Sequence, residues 1–166
     1  MLDPARIQMA AQDYQDENQR FRRFLKSRAD PDELDRHFSD LHKELFAGYD
    51  CCQCANCCRE YSVSLEDDEA APIATFLGLA TDDFISKYLT PSAGGYEIKA
   101  PCAFLGVDGK CGIQECKPAE CREFPYTDKP DRIISLLGVM SFAETCPVVF
   151  EIVQRLKEIY RFRGRD

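Results

Sequence analysis

The sequence lacks several features on which common enzyme classes depend. It has no tryptophan and only two histidines, His37 and His42. These lie five positions apart in one predicted helix, on different faces, which argues against a histidine-rich hydrolytic zinc site. No Ser-His-Asp set, phosphate-binding loop or dinucleotide fingerprint is present. The most apolar run, residues 133–142, is far shorter than the roughly 20 residues that a membrane-spanning helix needs.

Positive charge is also scarce in this chain. Twenty-one Lys and Arg residues face 29 Asp and Glu residues, a formal net charge of −8. Nucleic-acid-binding proteins usually present a basic face, so we expect no nucleic-acid partner. The N-terminal residues show no apolar core of the signal-peptide type. We therefore expect a cytoplasmic protein without a membrane partner, and we leave open an unknown protein partner.

Cysteine, in contrast, is abundant: the chain has ten, and five of them lie within residues 51–58, CCQCANCC. In a reducing compartment such residues are thiols or metal ligands, so metal binding is favoured over disulfides. Thiolates select zinc, Cu(I) or iron–sulfur clusters. Cys51, Cys54 and Cys57 are three apart and are expected on one side of a turn or helix, whereas Cys58 is expected to serve another centre or a bridge.

The metal itself stays open at this point between iron–sulfur and zinc. A C-x-x-C-x-x-C run completed by a remote Cys-Pro, here Cys146-Pro147, recurs around [4Fe–4S] clusters. Four cysteines can equally form a structural zinc site. The all-sulfur donor set and the Cys-Pro element favour an iron–sulfur cluster slightly over zinc.

The cysteine blocks resemble the YkgJ-type cysteine-cluster family, described as a zinc- or iron-chelating domain and named for a CxxCxxCC motif. Residues 51–58 match that motif, and CAFLGVDGKCGIQECKPAECREFP and TCP follow in the order of the family's later blocks. The resemblance covers about residues 50–148 and implies eight metal ligands: Cys51, Cys54, Cys57, Cys58, Cys102, Cys111, Cys121 and Cys146. It leaves Cys52 and Cys116 outside the pattern. This chain has Ala103, Gln114 and Lys117 where Pro, an aromatic residue and Arg are usual.

Basic residues beside these cysteines are candidates for offsetting the charge of a thiolate centre through N–H···S contacts. Arg59 and Arg122 are the cofactor-binding residues that we predict. Arg122 is the stronger candidate because it directly follows Cys121 inside a family block.

The fold class predicted from periodicity is α+β, mostly α. Apolar residues at steps of three and four predict an N-terminal helical hairpin over residues 1–48. Residues 49–166 are predicted to form a small cysteine-rich, metal-centred domain with a short β-hairpin and a closing C-terminal helix that begins at Cys146-Pro147. For residues 133–142, the length of the apolar run favours a helix, whereas its β-branched residues favour a strand, so both structures stay open there.

Three functional hypotheses follow. The first is a metal-binding protein whose cysteine cluster coordinates an iron–sulfur cluster or zinc. The second is an enzyme or modification factor that uses the centre for electron transfer or Lewis-acid chemistry. The third is an interaction module whose zinc is purely structural.

Overall fold

The computed structural model describes residues 1–66 and 68–164. In chain order its helices are α1 (Ile7–Arg28), α2 (Pro31–Phe46), α3 (Cys51–Cys54), α4 (Asn56–Glu60), α5 (Ala70–Phe76), α6 (Thr81–Tyr88), α7 (Ala119–Glu123), α8 (Arg132–Phe142) and α9 (Pro147–Ile159). The strands are β1 (Val63–Leu65), β2 (Thr90–Ser92) and β3 (Gly95–Ile98). Short 3-10 turns lie at Pro4–Arg6 and Gln114–Cys116. The expected mostly helical α+β fold is confirmed.

The chain divides into two compact units, which we call the helical unit (residues 1–49 and 125–166) and the cysteine unit (residues 50–124). The sequence pattern groups everything after residue 48 with the cysteines. The structure instead groups the residues from 125 onward with the N-terminal hairpin. Whether the segments 1–48 and 49–166 act as separate domains stays a prediction.

The helical unit is built from α1, α2, α8 and α9, and its two N-terminal helices pack on its two C-terminal ones. Asp30 begins α2 by accepting a hydrogen bond from the N–H of Glu33 over 2.9 Å, with Pro31 at the first helical position. Such a cap satisfies an amide that the helix itself leaves unpaired. The apolar stripes predicted for the hairpin are buried at Ile7, Ala11, Phe21, Leu25, Leu34, Phe38 and Leu41.

Residues 133–142, which the sequence left undecided, belong to helix α8. Leu136, Val139 and Met140 are buried, whereas Ile134 and Leu137 are exposed. The buried residues recur at steps of three and four, which is the period of a helix that packs by one face. Helical neighbours therefore decide the conformation of a segment whose β-branched residues also suit a strand.

The cysteine unit contains a three-stranded antiparallel sheet in the order β1-β3-β2. Val63 pairs with Ile98, and Thr90 with Glu97, so β2 and β3 form the short β-hairpin. Beside the sheet lies an apolar cluster of Leu65, Ala70, Ile73, Ala74, Phe84, Leu89, Ile98, Phe104 and Ile113. Cys102, Cys111 and Cys116 pack against this cluster, so the unit has an apolar core on which the thiols rest.

Candidate metal centre

The CxxCxxCC segment forms two single helical turns, α3 and α4, joined at Ala55. Ala55 takes the left-handed conformation, with φ 52° and ψ 18°, and it is buried. Asp50 begins the first turn by accepting a hydrogen bond from the N–H of Cys52 over 2.9 Å. The break at Ala55 changes the direction of the chain between Cys54 and Cys57, so the four motif cysteines do not follow a single helix.

A backbone hydrogen bond joins this segment to the next cysteine block. The N–H of Cys102 donates to the carbonyl oxygen of Cys58 over 2.8 Å. Beyond Cys102, a tight turn is closed by a hydrogen bond from the N–H of Gly106 to the carbonyl of Lys110 over 2.8 Å. Leu105 and Cys111 pair across this turn in an isolated antiparallel bridge. The predicted turn signal at residues 107–110 therefore serves to bring Cys111 back beside the Cys102 block.

Cys121 lies in α7, a helix of five residues that contacts β1. A helix this short has little stability of its own, so its position depends on contacts to the rest of the unit. Cys121 is partly buried. Burial and the neighbouring thiols Cys58, Cys102 and Cys111 raise the pKa of Cys121 to about 12.

Four thiols from four separate sequence segments thus interact with one another. Cys121 interacts electrostatically with Cys58, Cys102 and Cys111. Burial raises the pKa of Cys102, and the neighbouring Cys58 and Cys111 raise it further. We call Cys58, Cys102, Cys111 and Cys121 the thiol quartet. Mutual repulsion of their thiolates makes the metal-free ionised state unfavourable, which is the condition that a bound cation relieves.

Cys58 differs from the other members of the quartet. A side-chain hydrogen bond from Cys57, together with the positive charges of Lys117 and Arg59, lowers the pKa of Cys58 to about 6 against the opposing effect of burial. Cys58 is therefore the member that carries a thiolate at neutral pH in the metal-free protein. A preformed thiolate is a ready first ligand for a soft metal ion.

Cys51 and Cys54 form a second group. Burial raises the pKa of Cys51 first, and the charge of Cys54 and of Cys52 raises it further. Although Cys51 as a whole residue is the exposed member of the ten cysteines, its thiol is partly shielded from solvent. The sequence groups Cys57 with Cys51 and Cys54, whereas in the structure Cys57 forms a side-chain hydrogen bond with Cys58, so the division of these cysteines between centres stays a prediction.

The remaining predicted ligand, Cys146, lies in the helical unit, where it is buried and directly precedes α9. Its N–H donates to the carbonyl of Phe142 over 2.8 Å, and its own carbonyl accepts from the N–H of Phe150 over 3.0 Å. The expected helix start at Cys146-Pro147 is confirmed. The role of Cys146 as a ligand stays a prediction.

All ten cysteines are free thiols. Within residues 1–66 and 68–164, no group of three or more His, Cys, Asp or Glu side chains is arranged so that it could hold a metal ion as it stands. The quartet thiols therefore interact through space without adopting ligand geometry. Their chemistry, four sulfur donors with two cations beside them, nevertheless fits zinc and iron.

The two arginines predicted beside the centre make backbone contacts. Arg59 donates from Nη1 to the carbonyl of Cys54 over 2.8 Å. Arg122 donates to the carbonyl of Lys117 and approaches the carboxylate of Glu69 at 3.8 Å. Arg59 also acts on Cys58 by its charge. Whether either arginine binds a cofactor stays a prediction.

Lys117 is a site residue that the sequence prediction left out of its binding set. Its positive charge lowers the pKa of Cys51, Cys58 and Cys121, so it acts on both thiol groups. Its place in the family block, where Arg is usual, was the available signal. Sequence order could not show that Lys117 acts on a cysteine 66 positions earlier in the chain, the separation of residues 51 and 117.

The two cysteines outside the family pattern also have definite places. Cys52 donates its N–H to Asp50 and lies beside Cys51. Cys116 ends a 3-10 turn, and burial together with the charges of Cys111 and Glu115 raises its pKa. Cys116 is therefore a neighbour of the quartet through Cys111.

Comparisons with known proteins bear on this site. A family model named CxxCxxCC and described as "Putative zinc- or iron-chelating domain" matches residues 50–147. No curated protein matches the chain, and no solved structure matches it. None of the helices in the described part of the chain combines the length and apolar character needed to span a membrane. The family match spans the CxxCxxCC segment, the rest of the thiol quartet and Cys146, and the chain belongs to this CxxCxxCC family.

Proposed function

We propose that the protein binds zinc or iron at a sulfur centre whose ligands are Cys58, Cys102, Cys111 and Cys121. The observation that carries this proposal is that Cys121 and Cys102 each interact electrostatically with the other and with both Cys58 and Cys111. They come from four segments separated by up to 63 positions, counting from residue 58 to residue 121. Thiols that merely fill an apolar core have no reason to gather in a set of four, whereas tetrahedral sulfur coordination requires it.

The charge of the surroundings supports the same proposal. Four thiolates around a divalent ion leave two negative charges, which a half-buried site must offset. Lys117 and Arg59 lie where their positive charge stabilises the thiolate of Cys58, and Lys117 also acts on Cys121. Positively charged side chains that lie near such a centre without binding the metal stabilise its excess negative charge.

Cys51, Cys54 and Cys57 are proposed as ligands of a second centre. Cys51 and Cys54 interact with one another, and Cys57 contacts Cys58 through a side-chain hydrogen bond. A second centre would explain why the family pattern carries eight cysteines, more than one tetrahedral ion can bind. An iron–sulfur cluster is favoured for it by the C-x-x-C-x-x-C spacing.

Anaerobic purification followed by absorption spectroscopy and by metal and acid-labile sulfide analysis decides the identity of the metal. An iron–sulfur centre gives a brown protein with iron and sulfide in comparable amounts. A zinc protein is colourless and contains zinc without sulfide. A protein that binds neither metal under reducing conditions would overturn the proposal.

Single Cys→Ser variants test the ligand assignment. Changing any member of the quartet should release the metal of that centre or weaken its binding by about tenfold or more, since a hydroxyl is a poor replacement for a thiolate. The variants Cys116→Ser and Cys52→Ser are the matched controls, because both residues lie beside proposed ligands and outside the family pattern. Equal losses in the controls and in the quartet variants would count against the assignment.

The free state of all ten thiols fits a reducing compartment, so we propose a cytoplasmic location. Fractionation of cells expressing the full chain, with detection by antibody, tests this part separately. Recovery of the protein with its cysteines oxidised from an exported fraction would contradict it.

A further inference from the structure

Glu69 makes three contacts around the start of α7. Its Oε1 accepts a hydrogen bond from the N–H of Ala119 over 2.6 Å. Its Oε2 accepts from the N–H of Glu66 over 3.0 Å. Arg122 approaches Oε1 at 3.8 Å, and the Glu69 side chain is only 14% exposed. A largely buried carboxylate thus links the segment before α5 to the helix that carries Cys121.

This link replaces a cap that the sequence of α7 does not provide. Pro118 precedes the helix and offers no side chain to accept a hydrogen bond from its first amides. The first N–H groups of a helix have no partner inside the helix, and leaving them unpaired costs free energy. The positive end of the helix dipole also favours a negative charge at this position. Glu69 supplies both the acceptor and the charge from a position 50 residues earlier in the chain. Since α7 has only five residues, an anchor at Ala119 fixes the helix that presents Cys121.

A second carboxylate holds the same helix from another direction. Glu120 accepts a hydrogen bond from the N–H of Ser64 in β1. Ser64 lies in the middle of that strand and pairs with Glu97 of β3. Glu120 thereby ties α7 to the sheet, and Glu69 ties its first turn to the start of α5. Cys121 lies one residue beyond Glu120, so the sheet tie constrains the helix close to the thiol, while Glu69 controls where the helix begins.

We propose that Glu69 is a positioning residue that holds Cys121 in reach of the thiol quartet by capping and anchoring α7. The inference rests on the proposed function, because it assigns Cys121 as a metal ligand. Glu69 itself touches neither the thiol nor the metal. Its effect on metal binding is transmitted through the backbone of α7.

A double-mutant cycle on the full chain tests the inference, with Co²⁺ as the titrated metal because its thiolate bands report how many sulfurs bind. Glu69→Ala should weaken Co²⁺ binding by about 10- to 100-fold, the usual effect of removing a group that orients a ligand. It should also lower the intensity of the sulfur-to-cobalt band toward that of Cys121→Ser. In the Cys121→Ser background, Glu69→Ala should have no further effect on affinity, since both changes remove the same ligand.

Glu66→Ala is the matched control. Its side chain is exposed on the same segment, and only its backbone N–H takes part in the contact with Glu69. This variant should bind Co²⁺ like the parent protein. Glu69→Gln is the second variant, and it keeps one oxygen acceptor and the size of the side chain. It should therefore fold even if Glu69→Ala fails to fold. Its affinity for Co²⁺ should lie between those of the parent protein and of Cys121→Ser.

The outcomes separate this inference from the proposed function. If Cys121→Ser leaves Co²⁺ binding unchanged, the ligand assignment itself fails. Two other outcomes would overturn only the role of Glu69 and leave the proposed function unaffected. In the first, Cys121→Ser weakens Co²⁺ binding, whereas Glu69→Ala and Glu69→Gln do not. In the second, Glu69→Ala weakens Co²⁺ binding equally with and without Cys121.

Discussion

Gly109 lies directly against the backbone of Cys52: a Cβ built on Gly109 would be 2.4 Å from the carbonyl oxygen of Cys52. Gly109 also has φ +80°, a conformation that residues other than glycine rarely adopt. The turn that precedes Cys111 therefore lies against the CxxCxxCC segment at a distance that only glycine permits. This contact sets the separation between two of the cysteine blocks.

Gly109→Ala should consequently destabilise the cysteine unit and weaken metal binding. The positive φ alone costs about 1–2 kcal/mol for alanine, and the clash with a backbone oxygen adds to it. Denaturant unfolding and Co²⁺ titration measure the two effects. The matched control is Gly78→Ala, in the same unit, because Gly78 has φ +70° and a Cβ added there would meet nothing within 4 Å. Equal effects of the two substitutions would show that the approach to Cys52 is unimportant.

The metal-free protein should show one cysteine of unusual reactivity. Because the pKa of Cys58 is lowered to about 6, this thiol is ionised at neutral pH and should react with iodoacetamide faster than Cys121, whose pKa is raised to about 12. The rate at Cys58 should fall as the pH is lowered through about 6. Peptide mass spectrometry after timed alkylation in the presence of a chelator and a reductant measures both sites.

The contribution of Lys117, one of the two cations that act on Cys58 besides the hydrogen bond from Cys57, can be tested in the same assay. Lys117→Gln should raise the pKa of Cys58 and shift its alkylation profile to higher pH, because Lys117 is a source of positive charge at that thiol. Lys110→Gln is the control: Lys110 lies 3.7 Å from Asp108 on the exposed turn. A profile that stays the same in Lys117→Gln would contradict the assigned role of this lysine.

In the helical unit, Asp35 of α2 caps helix α8. Its carboxylate accepts from the N–H of Asp131 over 2.7 Å and from the N–H of Arg132 over 2.8 Å. Asp35→Ala should lower the free energy of unfolding by about 1–2 kcal/mol, the usual cost of losing a helix cap. Thermal and denaturant unfolding measure it, with Asp40→Ala on the exposed face of α2 as control. A loss no larger than that of the control would exclude the capping role.

His42 should make the stability of the helical unit depend on pH. Its Nδ1 lies 2.8 Å from the hydroxyl oxygen of Thr127. Burial lowers the pKa of His42 below its ordinary value of 6.5, against the opposing charge of Asp128 and with the support of Lys43. As the pH falls, His42 therefore takes up a proton near pH 6.5 in the unfolded chain but only at a lower pH in the folded protein. Protonation thus favours the unfolded chain, and the free energy of unfolding decreases as the pH drops below about 6.5.

Unfolding free energies of the parent protein and of His42→Gln, measured at several pH values, test this sign. The parent protein should have the larger free energy of unfolding above about pH 6.5, and the difference from His42→Gln should shrink at lower pH. An advantage that grows as the pH falls would contradict the assignment.

Much of the helical unit could be predicted because its signals are local. Asp30-Pro31 and Cys146-Pro147 mark helix starts, and the stripe through Phe21 and Leu25 follows the helical period. Helix α8 could not be decided in this way, since its buried face at Leu136 and Val139 is defined by the helices around it. The packing of the residues from 125 onward with the N-terminal hairpin likewise depends on contacts between distant helices, which local signals do not show.

At the candidate centre, the sequence predicts the type of donor, sulfur, but not how the thiols are arranged. The spacing in CCQCANCC indicated sulfur ligands and grouped Cys57 with Cys51 and Cys54, but it did not reveal the side-chain hydrogen bond between Cys57 and Cys58. It did not reveal that Lys117 acts on both thiol groups, or that Glu69 caps the helix carrying Cys121. Contacts between residues far apart in the chain depend on the packing of whole elements.

By itself, the amino-acid sequence determined the thiol chemistry, the family and the helical character of this protein, because these follow from residue type and from local spacing. Only the tertiary structure decided which four thiols interact, which neighbouring side chains lower the pKa of Cys58 and which glycine allows the turn to approach Cys52. Electrostatic coupling and steric fit depend on distances through space, and those distances are set when the elements pack.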